Sequence, residues 1–354
     1  MYLSGVTILI GLLPLRHLVP IAVLIGVLLF TPLAGPSPYF VITPGGTFEI
    51  GPRLSLPDAQ RKPMGRFAFT AVFQQEASWS KVMETKVMGR AELVPAETVR
   101  PPGASQEQVN SLNRQLIDES KPVAAAVALR AAGYPVTLTG DGAVVESVAQ
   151  AMPAAGVLQP GDVVVGVDGL LTDTTDALVQ QVRRHAAGDS VELAVERAGE
   201  RQELTVGTRE SPTEPGRPLL GVTVSTRNFH VQLPFPVEVD TANVGGPSAG
   251  LMLALGILDG VTDGDLTRGV YVAGTGTLGA DGRVGPVAGT AEKALSAERD
   301  GAQLFLVPAQ NVGDAQRWAH AVRFVPIERF EDAVRALCSL PPPPDETVPP
   351  APCG

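Results

Sequence analysis

Two residues in this chain are best suited to attacking a carbonyl and moving a proton: Ser248, at the start of an apolar helix, and Lys293, 45 residues later. Ser248 stands in VGGPSAGLMLALGILDG, residues 244–260. Pro247 supplies the φ of a first helical turn, and Gly245 and Gly246 let the backbone come close to a ligand. Free backbone N–H groups and the positive end of the helix dipole favour a developing negative charge there. The amides from Gly246 to Ala249 are therefore candidate oxyanion donors. Taken alone, the same residues also describe a serine capping an ordinary core helix.

Lysine usage adds weight to the chemical reading. Of 27 basic residues only five are Lys, and Lys293 is the one that falls after residue 121. Arg keeps its proton in proteins, whereas a buried Lys can lose its own and act as a base. A neutral amine beside Ser248 would take the hydroxyl proton. Neutrality near pH 7 requires the pKa to fall from ~10.4 to ~7, which corresponds to about 4 kcal/mol of desolvation. Val287, Ala288, Ala291, Ala294 and Leu295 around the lysine, with Leu251, Met252 and Leu255 beyond the serine, offer the apolar surroundings. Two alternatives stay open at this point. One is a solvated Lys beside Glu292 and Glu298, and the other is a triad of Ser248 with His230 or His320 and Asp240.

Taken together, GGPSAG and GRVGPVAGTAEK resemble the proteolytic domain of the Lon proteases, with its serine–lysine dyad. NFHVQLPFPVEVD, LFLVPAQN at 304–311 and LIDESKPVAAAVALRAAG at 116–133 are similar to further parts of that domain. The resemblance implies an α+β fold of the ribosomal protein S5 domain 2-like type, with Ser248 as nucleophile and Lys293 as general base. It also leaves a homo-oligomeric ring, a hexamer among the options, open. Two positions depart from the pattern. Gly245 stands where the family often has Asp, and the family's lysine-supporting threonine falls on Ala273, so Thr275 or Thr277 is expected to take that role.

No GxxxxGK[ST] occurs in these 354 residues, so peptide cleavage without ATP is expected, on flexible segments, peptides or unfolded proteins. With four scattered His and no HExxH or CxxC, neither a metal site nor a cofactor is expected. A formal charge of −10 without a basic cluster argues against a nucleic-acid partner. Cys338 and Cys353 would form a disulfide in an oxidising compartment and remain free thiols in the cytosol.

Along the chain, residues 1–35 contain an apolar stretch long enough to span a bilayer. Arg16 ahead of its last part suggests that the bulk of the chain lies outside the cytoplasm, as a single-pass membrane protein. A cleaved signal peptide ending near Ala34 is the alternative. Residues 36–65 are rich in Pro and Gly and read as a juxtamembrane connection, and 66–133 as the first part of the protease domain. In the latter, Arg66 to Gln74 read as a strand and Gln108 to Ala132 as a helix, and Glu92 to Gln106 read as turns. Residues 134–210 hold short β-like runs, and LQPGDVVVGVDG resembles the central signature of PDZ domains. Such a domain binds protein or peptide substrates as an added strand, and its carboxylate loop is expected near Tyr134 to Leu138. A linker at 211–218, the Lon-like catalytic part at 219–340 and an extended proline-rich tail at 341–354 complete the division. The expected architecture is a protease domain interrupted by a PDZ domain; an inactive membrane scaffold that recruits partners through the PDZ domain is the rival from another class.

Overall fold

The computed structural model describes residues 35–62, 64–89, 91–100, 103–211, 216–342 and 350–353. The expected membrane span lies outside them, apart from its last residue, Gly35. Among the described residues no helix is long and apolar enough to cross a membrane.

A six-stranded sheet draws its strands from both sides of the PDZ-like block. β1 (Pro36–Glu49), β2 (Phe67–Ser78) and β3 (Glu92–Pro95) come before it. β4 (Val272–Gly274), β5 (Leu304–Pro308) and β6 (Arg323–Ile327) come after it. Their spatial order is β6-β5-β4-β2-β1-β3. β2, β4, β5 and β6 run parallel, while β1 is antiparallel to both β2 and β3.

β1 corrects the reading of residues 36–65 as a juxtamembrane connection. Its proline and glycine residues mark a bulge in a paired strand, since the register with β2 shifts between Pro44 and Thr47. At Gly45 any Cβ would come within 2.8 Å of the Ala71 backbone, so the close approach of two strands requires glycine there. β3 likewise falls in the stretch 92–106, whose prolines and turn residues give no strand signal.

Side-chain alternation puts Phe67 and Phe69 on one face of the sheet and Ala68 on the other. The first face is covered by α3 (Gly250–Val261), every residue of which is buried. A helix apolar on all sides needs cover on all sides, and α2 (Gln106–Ala131) packs on the far side of α3. Ala124, Ala125 and Ala128 of α2 are fully buried, and their small size lets the two helices approach closely. The opposite face of the sheet carries α4 (Thr290–Arg299), which packs on β1 and β2. α1 (Trp79–Met88) follows β2, and α5 (Phe330–Cys338) follows β6. A disulfide from Cys338 to Cys353 ties the described end of the chain to α5.

The smaller domain has its own core, centred on Val145, Val164, Leu193 and Val195 with Leu178 and Val182 of the helix Thr175–Val182. Its sheet runs Glu200–Gly207, Ser190–Arg197, Val163–Val167, Ala143–Val148 and Val222–Thr226, each antiparallel to the next. Asp162 of the Pro-Gly-Asp turn accepts the Gln159 N–H and pairs with Arg197 at 2.7 Å. That pairing holds its carboxyl below the usual range. The last strand, Val222–Thr226, lies beyond the 211–218 segment, so this sheet extends past the boundary expected at 219. The chain enters and leaves the domain through a two-stranded ribbon, in which Thr137–Thr139 pairs with His230–Gln232.

Candidate functional site

Ser248 and Lys293 belong to elements on opposite faces of the large sheet, and they meet around the end of β4. Ser248 lies in a single 3-10 turn, Pro247–Ala249, that leads directly into α3. Gly246 ahead of it has φ +86°, a backbone state open to glycine and strained for other residues. Its N–H donates to the Asn113 carbonyl of α2 at 2.7 Å. A Cβ on Gly245 would lie 2.8 Å from Asn113 Cβ, so a side chain there has no room beneath α2.

Lys293 is on the first turns of α4 and is only 3 % exposed. Its Nζ lies 2.9 Å from Ser248 Oγ and 3.1 Å from Thr275 Oγ1. Burial pulls its pKa down to about 7, and the neighbouring Glu292 opposes that only in part. Thr275, fully buried just past β4, also donates its hydroxyl to the Ser248 carbonyl at 3.1 Å. The Gly276 N–H reaches the same carbonyl at 2.8 Å. The serine backbone and the lysine amine are thus held by one threonine.

The expected residues fare differently. Ser248, Lys293 and Thr275 come together. Thr277 lies two residues on, in a short strand paired with Val284–Gly285, and the threonine beside the amine is Thr275. Gly246 is corrected as an oxyanion donor, because its N–H is already engaged by Asn113. Pro247 has no N–H. In the stretch 246–249 the candidate donors narrow to the amides of Ser248 and Ala249. The alternative triad residues sit in other elements. His230 is in the ribbon opposite Thr139, the backbone N–H of His320 donates to Glu298, and Asp240 faces Arg53.

Two contributors escaped the sequence reading. Asn113 acts through its backbone carbonyl, which no side-chain pattern can signal. Glu292, with no exposure, accepts the Glu92 N–H of β3 at 2.9 Å, and burial pushes its carboxyl up. It ties the lysine helix to the edge of the sheet.

The stretch Tyr134 to Leu138, the expected carboxylate loop, is engaged otherwise. Tyr134 packs edge-on against Phe235, and Thr137–Thr139 is taken up by the ribbon. The terminal strand of the small sheet is Val222–Thr226, which faces the helix Thr175–Val182. A cavity of about 180 Å³ lies there, lined by Leu178, Val182, Leu219, Leu220, Val222 and Val224 together with Arg183 and Arg217. The sequence signal was the alternating LLGVTV after the proline-rich segment.

Two family models match parts of the chain. Residues 223–337 match the Lon protease (S16) C-terminal proteolytic domain, and residues 117–208 match the PDZ domain. The Lon protease of Heliobacterium modesticaldum is 33 % identical over 135 residues, which are 35 % of this chain and 16 % of that protein. Lon protease 2 of Bacillus subtilis is 25 % identical over 123 residues, 35 % of this chain and 21 % of its own length. This chain therefore spans about a fifth or less of these relatives. The PDZ domain of an SdrC-like protein from Listeria innocua is 24 % identical, with 25 % of this chain and all of that one covered at a TM-score of 0.23. Residues 223–337 are thus similar to a Lon-type proteolytic domain and residues 117–208 to a PDZ domain.

Removing the threonine hydroxyl while keeping its shape tests how the amine is held. Thr275→Val deletes one contact to Lys293 and one to the serine backbone, worth about 1–3 kcal/mol together. The expected result is kcat lower by roughly 10- to 100-fold with KM little changed, read from steady-state peptide kinetics.

Proposed function

We propose that this chain is an ATP-independent, membrane-anchored serine endopeptidase with a Ser248–Lys293 dyad. One observation carries the reading: a buried amine, with its pKa near 7, lies 2.9 Å from a hydroxyl at a helix start. The neutral amine accepts the Ser248 proton as Oγ attacks a peptide carbonyl, and the resulting ammonium protonates the leaving amine. Water, deprotonated by the same lysine, then releases the acyl group. The Ser248 and Ala249 amides, at the positive end of α3, stabilise the oxyanion. Thr275 keeps the amine aimed at Oγ.

The groove between Val222–Thr226 and Thr175–Val182 takes an extended substrate segment as an added strand, with apolar side chains entering the cavity at Leu220 and Val182. The apolar 5–34 stretch holds the enzyme at the membrane, with the catalytic domain outside the cytoplasm. The Cys338–Cys353 bridge is of the kind that an oxidising compartment maintains.

The test is turnover of an unstructured fluorogenic peptide by the purified full chain without nucleotide. Hydrolysis is expected at a rate that ATP does not change. Its pH profile should rise through about 7, as the lysine of the free enzyme loses its proton. A requirement for ATP, or a rate flat between pH 5 and 9, would overturn the reading.

A further inference from the structure

α1 carries an apolar stripe on its outer side. Trp79, Met83 and Val87 follow one another at four-residue spacing and therefore share a face, and they are 42 %, 54 % and 82 % exposed. The other side of the helix is anchored, with Val82 and Thr85 buried and Val82 packed in a small core with Val41 and Ala77. Both ends of α1 are capped, by the Ser78 hydroxyl at its start and by Gly89 in the left-handed state at its end. The helix is thus firmly held with its apolar side outward.

Its position indicates what covers that side. The Trp79 N–H donates to the Gly35 carbonyl at 3.1 Å, and Pro36 pairs with Ser78. The chain therefore leaves the apolar 5–34 stretch at the first turn of α1. Lys81 and Lys86, two of the five lysines in a chain of net charge −10, are on the same helix. The Lys81 amine is paired with Glu84 at 2.9 Å, and the long stem of Lys86 can run along apolar surface while its amine reaches an anionic headgroup.

We propose that α1 lies in the interfacial layer of the bilayer, with Trp79, Met83 and Val87 inserted among the headgroups. This rests on the membrane-anchored reading above. Three side chains are too little surface to hold a free protein on a lipid surface. Beside a tether, however, the local lipid concentration is already high, and the stripe has only to orient the domain. Tryptophan suits that depth, since its ring is apolar and its N–H seeks a polar partner.

The experiment uses the full chain with Trp318→Phe, which leaves Trp79 as the only tryptophan. The protein is reconstituted in phosphatidylcholine–phosphatidylglycerol vesicles whose lipids carry a nitroxide near the headgroup or near the acyl terminus. The headgroup-proximal label is expected to quench Trp79 emission by at least about twofold and the deep label less. Adding Met83→Ser and Val87→Ser should reduce that quenching and leave peptide turnover intact, because both residues point away from the core. Alkaline carbonate extraction separates the two readings. A chain that stays in the membrane while Trp79 remains unquenched and open to iodide overturns the docking of α1 alone. A chain released by carbonate overturns the anchor, and the docking with it. A Trp79→Cys variant that crosslinks between copies would assign the stripe to a second copy and likewise overturn the proposal.

Discussion

Lys293→Met is expected to lower peptide hydrolysis by at least about 10³-fold and at the same time to make the protein more stable. The two effects have one cause. Burial holds the amine pKa at about 7, so folding near neutral pH strips a proton that the unfolded chain would keep. That costs about 4–5 kcal/mol. Methionine is of similar length, needs no proton and forfeits two hydrogen bonds, those to Ser248 and Thr275. At about 1 kcal/mol each, a net gain of about 2–3 kcal/mol remains.

The sign with pH is fixed by the same argument. Below about 7 the amine is charged in both states and the full penalty applies. Between about 7 and 10.5 the unfolded chain binds more protons than the folded one, so the native protein gains stability as pH rises. The advantage of Lys293→Met should therefore be largest at pH 6 and shrink toward pH 10, as measured by urea unfolding at each pH. Equal stability of the two proteins across that range would mean that the amine is hydrated.

Ser248→Ala should lose activity to the same extent, at least about 10³-fold, with little change in stability because the side chain is only half-buried. The informative comparison is with the double variant. In the proposed mechanism nucleophile and base act in a single step, so Ser248→Ala combined with Lys293→Met should cost no more than either change alone. A serine-directed fluorophosphonate should label the native protein at Ser248. Lys293→Arg keeps a charge but cannot surrender its proton, so labelling should vanish. Full labelling of Lys293→Arg would mean that a different base serves Ser248.

The pairing of Ser248 with Lys293, 2.9 Å apart, was legible in the sequence because both residues are unusual there. Ser248 is framed by Gly and Pro ahead of an unbroken apolar helix, and Lys293 survives where arginine replaces lysine elsewhere. The supporting contacts were legible only in part. Thr275 and Thr277 are both threonines in one loop, and the register that decides between them depends on where β4 ends. The Gly246 amide could not be placed because its partner is a backbone carbonyl on α2, more than a hundred residues away.

Fold boundaries failed for a related reason. Composition marks Pro44, Gly45 and Gly46 as breakers, yet in a paired strand they form a bulge that only the partner strand explains. Likewise LLGVTV follows a proline-rich segment, and only pairing with Ala143–Val148 assigns it to the small sheet. Local pattern thus brought out α2, α3, α4 and the Ser248–Lys293 pair, whereas strand membership depended on distant partners.

The pairing of β4 with β2 bears on how the molecule is made. Val272 sits opposite Phe67, about 200 residues apart in sequence, and nothing shorter joins the two halves of that sheet. At roughly 5–20 residues per second, a ribosome needs on the order of 10–40 seconds to supply the missing half. During that time the PDZ domain, which has its own core, can complete its own folding, while β1 and β2 wait as an open hairpin beside a nascent chain. Folding of the chain is therefore expected to be slow and to begin in the middle of the polypeptide.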